Sequence, residues 1–235
     1  MNDTRNSDAE ARKEPLIVAI DGPAGGGKST AARRLADRLG VPYLDTGAMY
    51  RAVAVAVLDH GADPDDREAV VKVAESIDIS LVSHDDGSFA VQLRGENVEP
   101  RLRTPRVGEA ASKVSKYPEV RERMVTLQRA SARRLGGVLE GRDIGTKVFP
   151  DTRHKFFVTA SPEIRAERRY LQHKEAGKDV DRDEVLKDLL ARDERDRNRE
   201  ESPLTLDDTY TEIDTSDLDA DQVVDQLEKA VRERR

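Results

Sequence analysis

The chain has 235 residues, 47 of them acidic and 40 basic, for a formal net charge of −7; this balance excludes a general nucleic-acid binder while leaving room for a local cationic site. Cysteine is absent, which excludes disulfides, thiolate metal sites and cysteine nucleophiles. Apolar and charged residues each make up 37%, so the length predicts one large α/β domain with an insertion, or two small domains, with a modest core under a charged surface.

Residues 1–14 are polar and lack the apolar stretch of a signal peptide, and no run approaches a membrane span. They predict a disordered arm on a soluble, cytoplasmic protein. Residues 16–20 are a short apolar run that fits a buried strand. Residues 29–39 read as a helix, because Ala32, Leu35, Ala36 and Leu39 recur at helical spacing and Gly40 stops it. Residues 41–44 predict a second strand, ending at Asp45-Thr46-Gly47, and 48–58 a second helix with Ala52, Val55 and Val57 toward the core. After a turn-rich exit at 61–66, short strands are predicted over 77–82 and 89–93, with His84-Asp85-Asp86-Gly87-Ser88 as a hairpin loop. Residues 61–106 thus predict a small antiparallel lobe inserted into the main domain.

Helices follow over 107–116 and 118–135, Pro118 suiting a helix start. Residues 138–139 lead into Glu140-Gly141-Arg142-Asp143, and 154–159 predict a further strand. Ser161-Pro162 caps a helix running to about 176, and Gly177 breaks it. Asp181 and Glu184 predict a capping box, followed by an apolar stripe of Val185, Leu186, Leu189 and Leu190. Residues 210–213 read as the last strand, and Asp219 with Gln222 boxes a final helix whose apolar side is Val223, Val224, Leu227 and Val231. Strands alternating with helices imply a mostly parallel sheet covered on both faces, with ligands at the carboxyl ends of the strands.

The most specific stretch is Gly22-Pro23-Ala24-Gly25-Gly26-Gly27-Lys28-Ser29, which matches G-x-x-x-x-G-K-[ST] between a predicted strand and a predicted helix. In that setting the backbone amides converge on phosphate, Lys28 adds a mobile positive charge for the β- and γ-phosphates, and Ser29 offers a hydroxyl to a divalent cation. The cradle specifies nucleoside-triphosphate binding and leaves the reaction open. Phosphoryl transfer depends mainly on positioning and positive charge, so the arginines matter. Arg51, with Tyr50 beside it, lies one helical turn beyond Asp45-Thr46-Gly47; Arg142 lies at a strand end; and Arg192, Arg195, Arg197 and Arg199 are interleaved with Asp193, Glu194, Asp196 and Glu200. On local features alone the first group also reads as a strand-to-helix cap, Arg142-Asp143 as a structural ion pair, and 192–199 as a solvated helix face. The four histidines are scattered, without metal-ligand spacing.

Four motifs in this order resemble the bacterial cytidylate kinases, within the P-loop nucleoside-monophosphate kinases. They are Ile20-Asp21-Gly22-Pro23-Ala24-Gly25-Gly26-Gly27-Lys28-Ser29-Thr30, Leu44-Asp45-Thr46-Gly47-Ala48-Met49-Tyr50-Arg51, Gly141-Arg142-Asp143-Ile144-Gly145-Thr146 and Arg192-Asp193-Glu194-Arg195-Asp196-Arg197-Asn198-Arg199. The resemblance covers about residues 16–230. It implies a three-layer P-loop NTPase fold with a five-stranded parallel sheet, a monophosphate-binding lobe at 61–106 and a helical lid at 161–200. It implies transfer from ATP to CMP or dCMP with Mg2+. Nothing in the sequence demands a partner subunit, so a monomer is expected, one that binds no nucleic-acid polymer and no membrane. It also implies that Gly22 to Thr30 hold ATP, with Arg165 and Arg169 on the donor side and Ser29 at the metal. Thr46, Ser112, Arg121 and Asp143 would read the cytosine, with Tyr50 lining the pocket. Arg51, Arg142 and Arg192 would grip the acceptor phosphate, Asp196 would contact ribose and orient Arg192, and Arg199 would also reach phosphates. Lys28, Arg142, Arg192 and Arg199 are the expected catalytic groups. Thr46, Glu140 and Lys147 depart from the commonest pattern, where serine, aspartate and an apolar residue are usual. Rival readings are a related kinase acting on UMP, AMP or a small hydroxy acid, a nucleotide switch (for which the guanine-reading Asn-Lys-x-Asp is missing), and a nucleic-acid-associated ATPase.

Overall fold

The computed structural model describes residues 15–83 and 89–234; the predicted N-terminal arm and the 84–88 hairpin loop lie outside them. Five strands form one parallel sheet: β1 (Ile17–Asp21), β2 (Tyr43–Asp45), β6 (Gly137–Glu140), β7 (His154–Thr159) and β8 (Thr211–Asp214), in the order β2-β6-β1-β7-β8. Ile20 lies between Glu140 and Phe156 in register, so the ends of the three central strands stand side by side. β1 and its neighbours are apolar because both faces are covered. On one face α1 (Lys28–Leu39) and α8 (Ala220–Glu233) bury Ala32, Leu35, Val224 and Leu227 against Val18, Ile20 and Phe156. On the other, α5 (Pro118–Leu135) and a π turn at Ile144–Val148 cover Ala19, Leu44 and Leu139. This is the α/β, three-layer arrangement expected.

The most buried helix is α2 (Thr46–Asp59). Residues 52–57, Ala-Val-Ala-Val-Ala-Val, are all buried, where the sequence reading put only three of them toward the core. A helix apolar all round needs neighbours all round. They are α3 (Arg67–Ser76), α4 (Pro105–Val114), α5 and a separate antiparallel sheet of β3 (Ile79–Ser83), β4 (Phe89–Leu93) and β5 (Glu96–Asn97).

Two elements depart from the reading of the sequence. Residues 67–76 form α3, where no helix was expected. Asp66 caps it by accepting the Ala69 amide at 3.1 Å, and Val70, Val73 and Ala74 make its buried face. That one-sided spacing is short, and a run of charged residues precedes it. The π turn after Asp143 was also missed, because its cap comes from a residue remote in sequence.

The predicted N-caps form, with the returning Glu184 bond of the expected box at Asp181 not made among the described residues. Ser161 accepts the Ile164 amide at the start of α6 (Pro162–Glu175), and Asp181 accepts those of Asp183 and Glu184 at the start of α7 (Arg182–Asn198). The full reciprocal box forms at Asp219 and Gln222. Within the apolar stripe of α7, Leu189 is buried and Leu190 is exposed.

Candidate active site

β1 ends at Asp21, and the glycine loop turns directly into α1. Gly22 has φ 144°, and a Cβ there would overlap the Val158 carbonyl, so only glycine lets the loop lie against β7. Gly27, at φ 86°, precedes the first turn of α1, which carries no acidic side chain. The free amides of that turn point into an anion site with no internal competitor. Lys28 is buried, and its Nζ donates to the Pro23 carbonyl at 2.5 Å. Burial, then the nearby Arg142, lowers its pKa to about 7, against the pull of Glu140. Thr30 is exposed at the outer side of the same turn.

Glu140 sits behind Ser29. Its Oε2 accepts the Ser29 hydroxyl at 2.8 Å, and its Oε1 accepts the Tyr43 hydroxyl. Burial, with Asp45 nearby, raises its pKa. The unusual acid at this position is therefore buried and engaged, while the unusual Lys147 is exposed. A hydroxyl beside a carboxylate at the mouth of a phosphate loop is a hard-oxygen pair that fits Mg2+. Among the described residues there is no group of three or more acidic, histidine or cysteine side chains around a common metal position.

Arg165, which the resemblance put on the donor side, is held by protein partners. Its side chain is 2% exposed and pairs at 2.6 Å with Asp193, 1% exposed. Its Nε donates to Ala160 and its Nη1 to the Ala24 carbonyl of the loop at 3.0 Å. The guanidinium is spent on protein and braces the loop from behind. Arg169 is different, since it has no acid partner among the described residues. Burial and the charges of Arg51 and Arg103 lower its pKa.

Opposite the loop, Asp45 caps α2 through the Ala48 amide and pairs with Arg51 at 2.6 Å. The cap reading of this motif therefore holds, and the same carboxylate fixes Arg51 one turn further on. Arg142 donates from Nε to Asp196 at 2.8 Å. Burial works to raise the Asp196 carboxyl, yet Arg142, Arg192 and Arg199 hold it below the usual range. Arg192 has no acid partner within ion-pair distance among the described residues, and burial, then Arg142, lowers its pKa to about 10. Lys28, Arg51, Arg142, Arg169 and Arg192 thus make a patch of cations that repel one another.

Beside this patch lies a second, neutralised cluster. Asp143 pairs with Arg121, their side chains 6% and 5% exposed. Arg121 also donates to the Ser115 carbonyl at 3.0 Å, and its guanidinium lies 5.3 Å from the Tyr50 ring centre. Burial raises the Tyr50 hydroxyl to about 12. Arg199 stands 3.8 Å from Asp143 and donates to the Ser202 carbonyl, which places it beside this cluster. Thr46 gives its hydroxyl hydrogen to the Glu140 carbonyl at 2.7 Å, which leaves only its oxygen lone pairs for a ligand. Ser112 meets Arg195 of α7 at 3.4 Å. Sequence reasoning missed Arg103 and Tyr43, and did not assign the partner roles of Glu140, Asp193 and Tyr210. Arg103 and Tyr43 stand in no recognisable pattern; only folding gives them neighbours.

A glycine loop at the end of a central parallel strand, with a buried lysine and a facing arginine patch, defines a P-loop kinase. The fold resembles the crystal structure of an uncharacterised protein from Eubacterium ventriosum, with a TM-score of 0.50, 15% identity, and 93% of this chain and 99% of that one covered. Residues 18–233 match the family described as cytidylate kinase. Proteins of that name from Corynebacterium glutamicum and Caldanaerobacter subterraneus are 51% and 47% identical, over 90% and 92% of this chain and 92% and 94% of their own. One from Geobacter sulfurreducens is 44% identical over 95% and 96%. The chain belongs to the cytidylate kinase family.

Proposed function

We infer that this protein transfers the γ-phosphoryl group of ATP to CMP or dCMP, giving ADP and CDP or dCDP. Beyond family membership, the observation that supports it most is the adjacency of Arg142 and Asp143. One belongs to the cationic patch and the next to a buried cluster with Arg121 and Tyr50. An acceptor nucleotide needs that pairing, a phosphate end and a base end a few ångströms apart.

The loop over residues 22–30, through backbone amides that all but Pro23 carry, and the Lys28 side chain would hold the donor phosphates. Arg51, Arg142 and Arg192 would hold the acceptor phosphate, whose own anionic oxygen attacks the γ-phosphorus as the bond to the ADP oxygen breaks. No side-chain base is required, and the arginines offset the repulsion between the two phosphates. Arg169 would join them from the donor side. Asp196 holds Arg142 through its Nε, attracts Arg192 by charge alone, and would reach the ribose. Mg2+, held at Ser29 with Glu140 fixing the hydroxyl, would neutralise charge on the donor phosphates. Residues 61–106 would act as the lobe that closes over the acceptor, and 161–200 as the lid that excludes water. The assembly acts as a monomer in the cytoplasm; among the described residues no helix is long and apolar enough to cross a membrane.

Asp143 and Arg121 would read the base. A carboxylate accepts from the exocyclic amino group of cytosine and repels the carbonyl that uracil carries in its place. An acceptor panel with ATP, read by ADP formation, tests the assignment. CMP and dCMP should turn over well, with UMP poorer and AMP poorest. Preference for AMP or UMP would refute it.

A further inference from the structure

Asp21 has no part in the chemistry above, yet it is fully buried at the end of β1, one residue before the glycine loop. Its carboxylate reaches across to the π turn. Oδ1 accepts the Ile144 amide at 2.9 Å; Oδ2 accepts the Gly145 amide at 2.8 Å and the Tyr210 hydroxyl at 2.7 Å. Burial pushes its carboxyl up to about 6, opposed by these three donors. At neutral pH it is therefore mainly the ionised, acceptor-only form that all three require.

The two amides are the first of the turn at Ile144–Val148, and the residue at that turn's N-cap is itself an aspartate, Asp143. Aspartate at such a position normally turns back to accept the amides that follow. Asp143 makes no such bond and faces Arg121 instead. Asp21 does the capping in its place. Gly145 is part of the same arrangement, because a Cβ there would lie 2.6 Å from the Tyr210 hydroxyl oxygen and force Tyr210 away from Asp21.

We propose that Asp21 is the positioning residue of the acceptor site. By capping the 144–148 turn from the end of the donor strand, it frees the Asp143 carboxylate to pair with Arg121 and read the base. It also fixes the distance between the glycine loop and Arg142. The proposal rests on the acceptor reading given above.

Asp21→Asn tests it. The amide presents a donor where an acceptor is needed, so one backbone N–H loses its cap and Asp143 is drawn back to supply it. The KM for CMP should rise roughly tenfold or more, while the KM for ATP stays within about threefold. Tyr210→Phe keeps both amide bonds and should raise the CMP KM about two- to fivefold. In an Asp143→Ala background, Asp21→Asn should add little further, because both changes act on one carboxylate. A folded Asp21→Asn with unchanged CMP KM, equal rises for CMP and ATP, or full additivity with Asp143→Ala would overturn the proposal. Should Asp21→Asn fail to fold, Tyr210→Phe decides: an unchanged CMP KM in that variant overturns it. Absence of CMP turnover in the unaltered protein would instead remove the acceptor reading itself.

Discussion

The Arg165–Asp193 pair offers a direct test of whether the α6–α7 unit carries the donor loop. Both side chains are almost wholly excluded from water, and Arg165 links α7 to the loop by pairing with Asp193 and donating to the Ala24 carbonyl. Asp193→Ala leaves a guanidinium buried without its counter-charge. Breaking such a pair costs about 3–5 kcal/mol, which for a chain of this size lowers Tm by roughly 6–20 °C. Replacing both partners with apolar residues, Arg165→Met with Asp193→Leu, removes the stranded charge and should restore most of that stability. The Ala24 carbonyl, however, loses its anchor in the double variant. One charged hydrogen bond is worth about 1.5–3 kcal/mol, so the KM for ATP should rise roughly tenfold even with Tm recovered. Thermal unfolding followed by circular dichroism, beside steady-state kinetics in ATP, separates the two effects. A single variant within about 3 °C of the parent, or a recovered double variant with unchanged ATP KM, would refute the reasoning.

Two further outcomes follow from the cationic patch. Because burial lowers the Lys28 pKa to about 7, the folded apo-protein favours its neutral amine between pH 7 and the ordinary 10.5. The unfolded chain binds more protons there, so this group's contribution to stability rises with pH across that window and is lost as pH falls through about 7. Donor phosphates restore the charge, so at pH 8 ATP binding in EDTA should take up close to one proton, as measured calorimetrically in buffers of different ionisation heat. Equal uptake in Lys28→Met would rule this out. Arg192→Lys keeps the charge and loses the planar fork; kcat/KM should fall about 10- to 100-fold, and parity with the parent would remove Arg192 from the transfer step.

The parallel sheet and the glycine loop were legible because each is local: an apolar run, a motif and a periodic helix follow one another within 25 residues. The meeting of Arg142 and Arg192 was partly legible, since arginine at a strand end or repeated along a helix invites a charge argument. The partners of Arg165 were not legible, for a physical reason. Its neighbours Ala24 and Asp193 are remote in sequence, and nothing in residues 161–169 distinguishes an arginine buried against protein from one facing a ligand. The cap of the 144–148 turn was hidden in the same way, as Asp21 sits 123 residues before Ile144. α3 was lost to its short length and charged flank. What the chain spells locally, it spells clearly; what depends on two distant segments meeting emerges only on folding.

The ladder between α1 and α8 has a consequence for how the molecule is made. Arg34 meets Asp221, Arg38 meets Asp225 and Glu228, and Val224 and Leu227 seal the inner side of α1. The helix whose first turn receives phosphate is thus roofed by a segment translated after every strand of the sheet. A nascent polypeptide halted before Asp219 should fail to retain an immobilised nucleotide, and release of the remaining residues should switch retention on. Competence would then wait on synthesis of α8, after every strand of the sheet has been made.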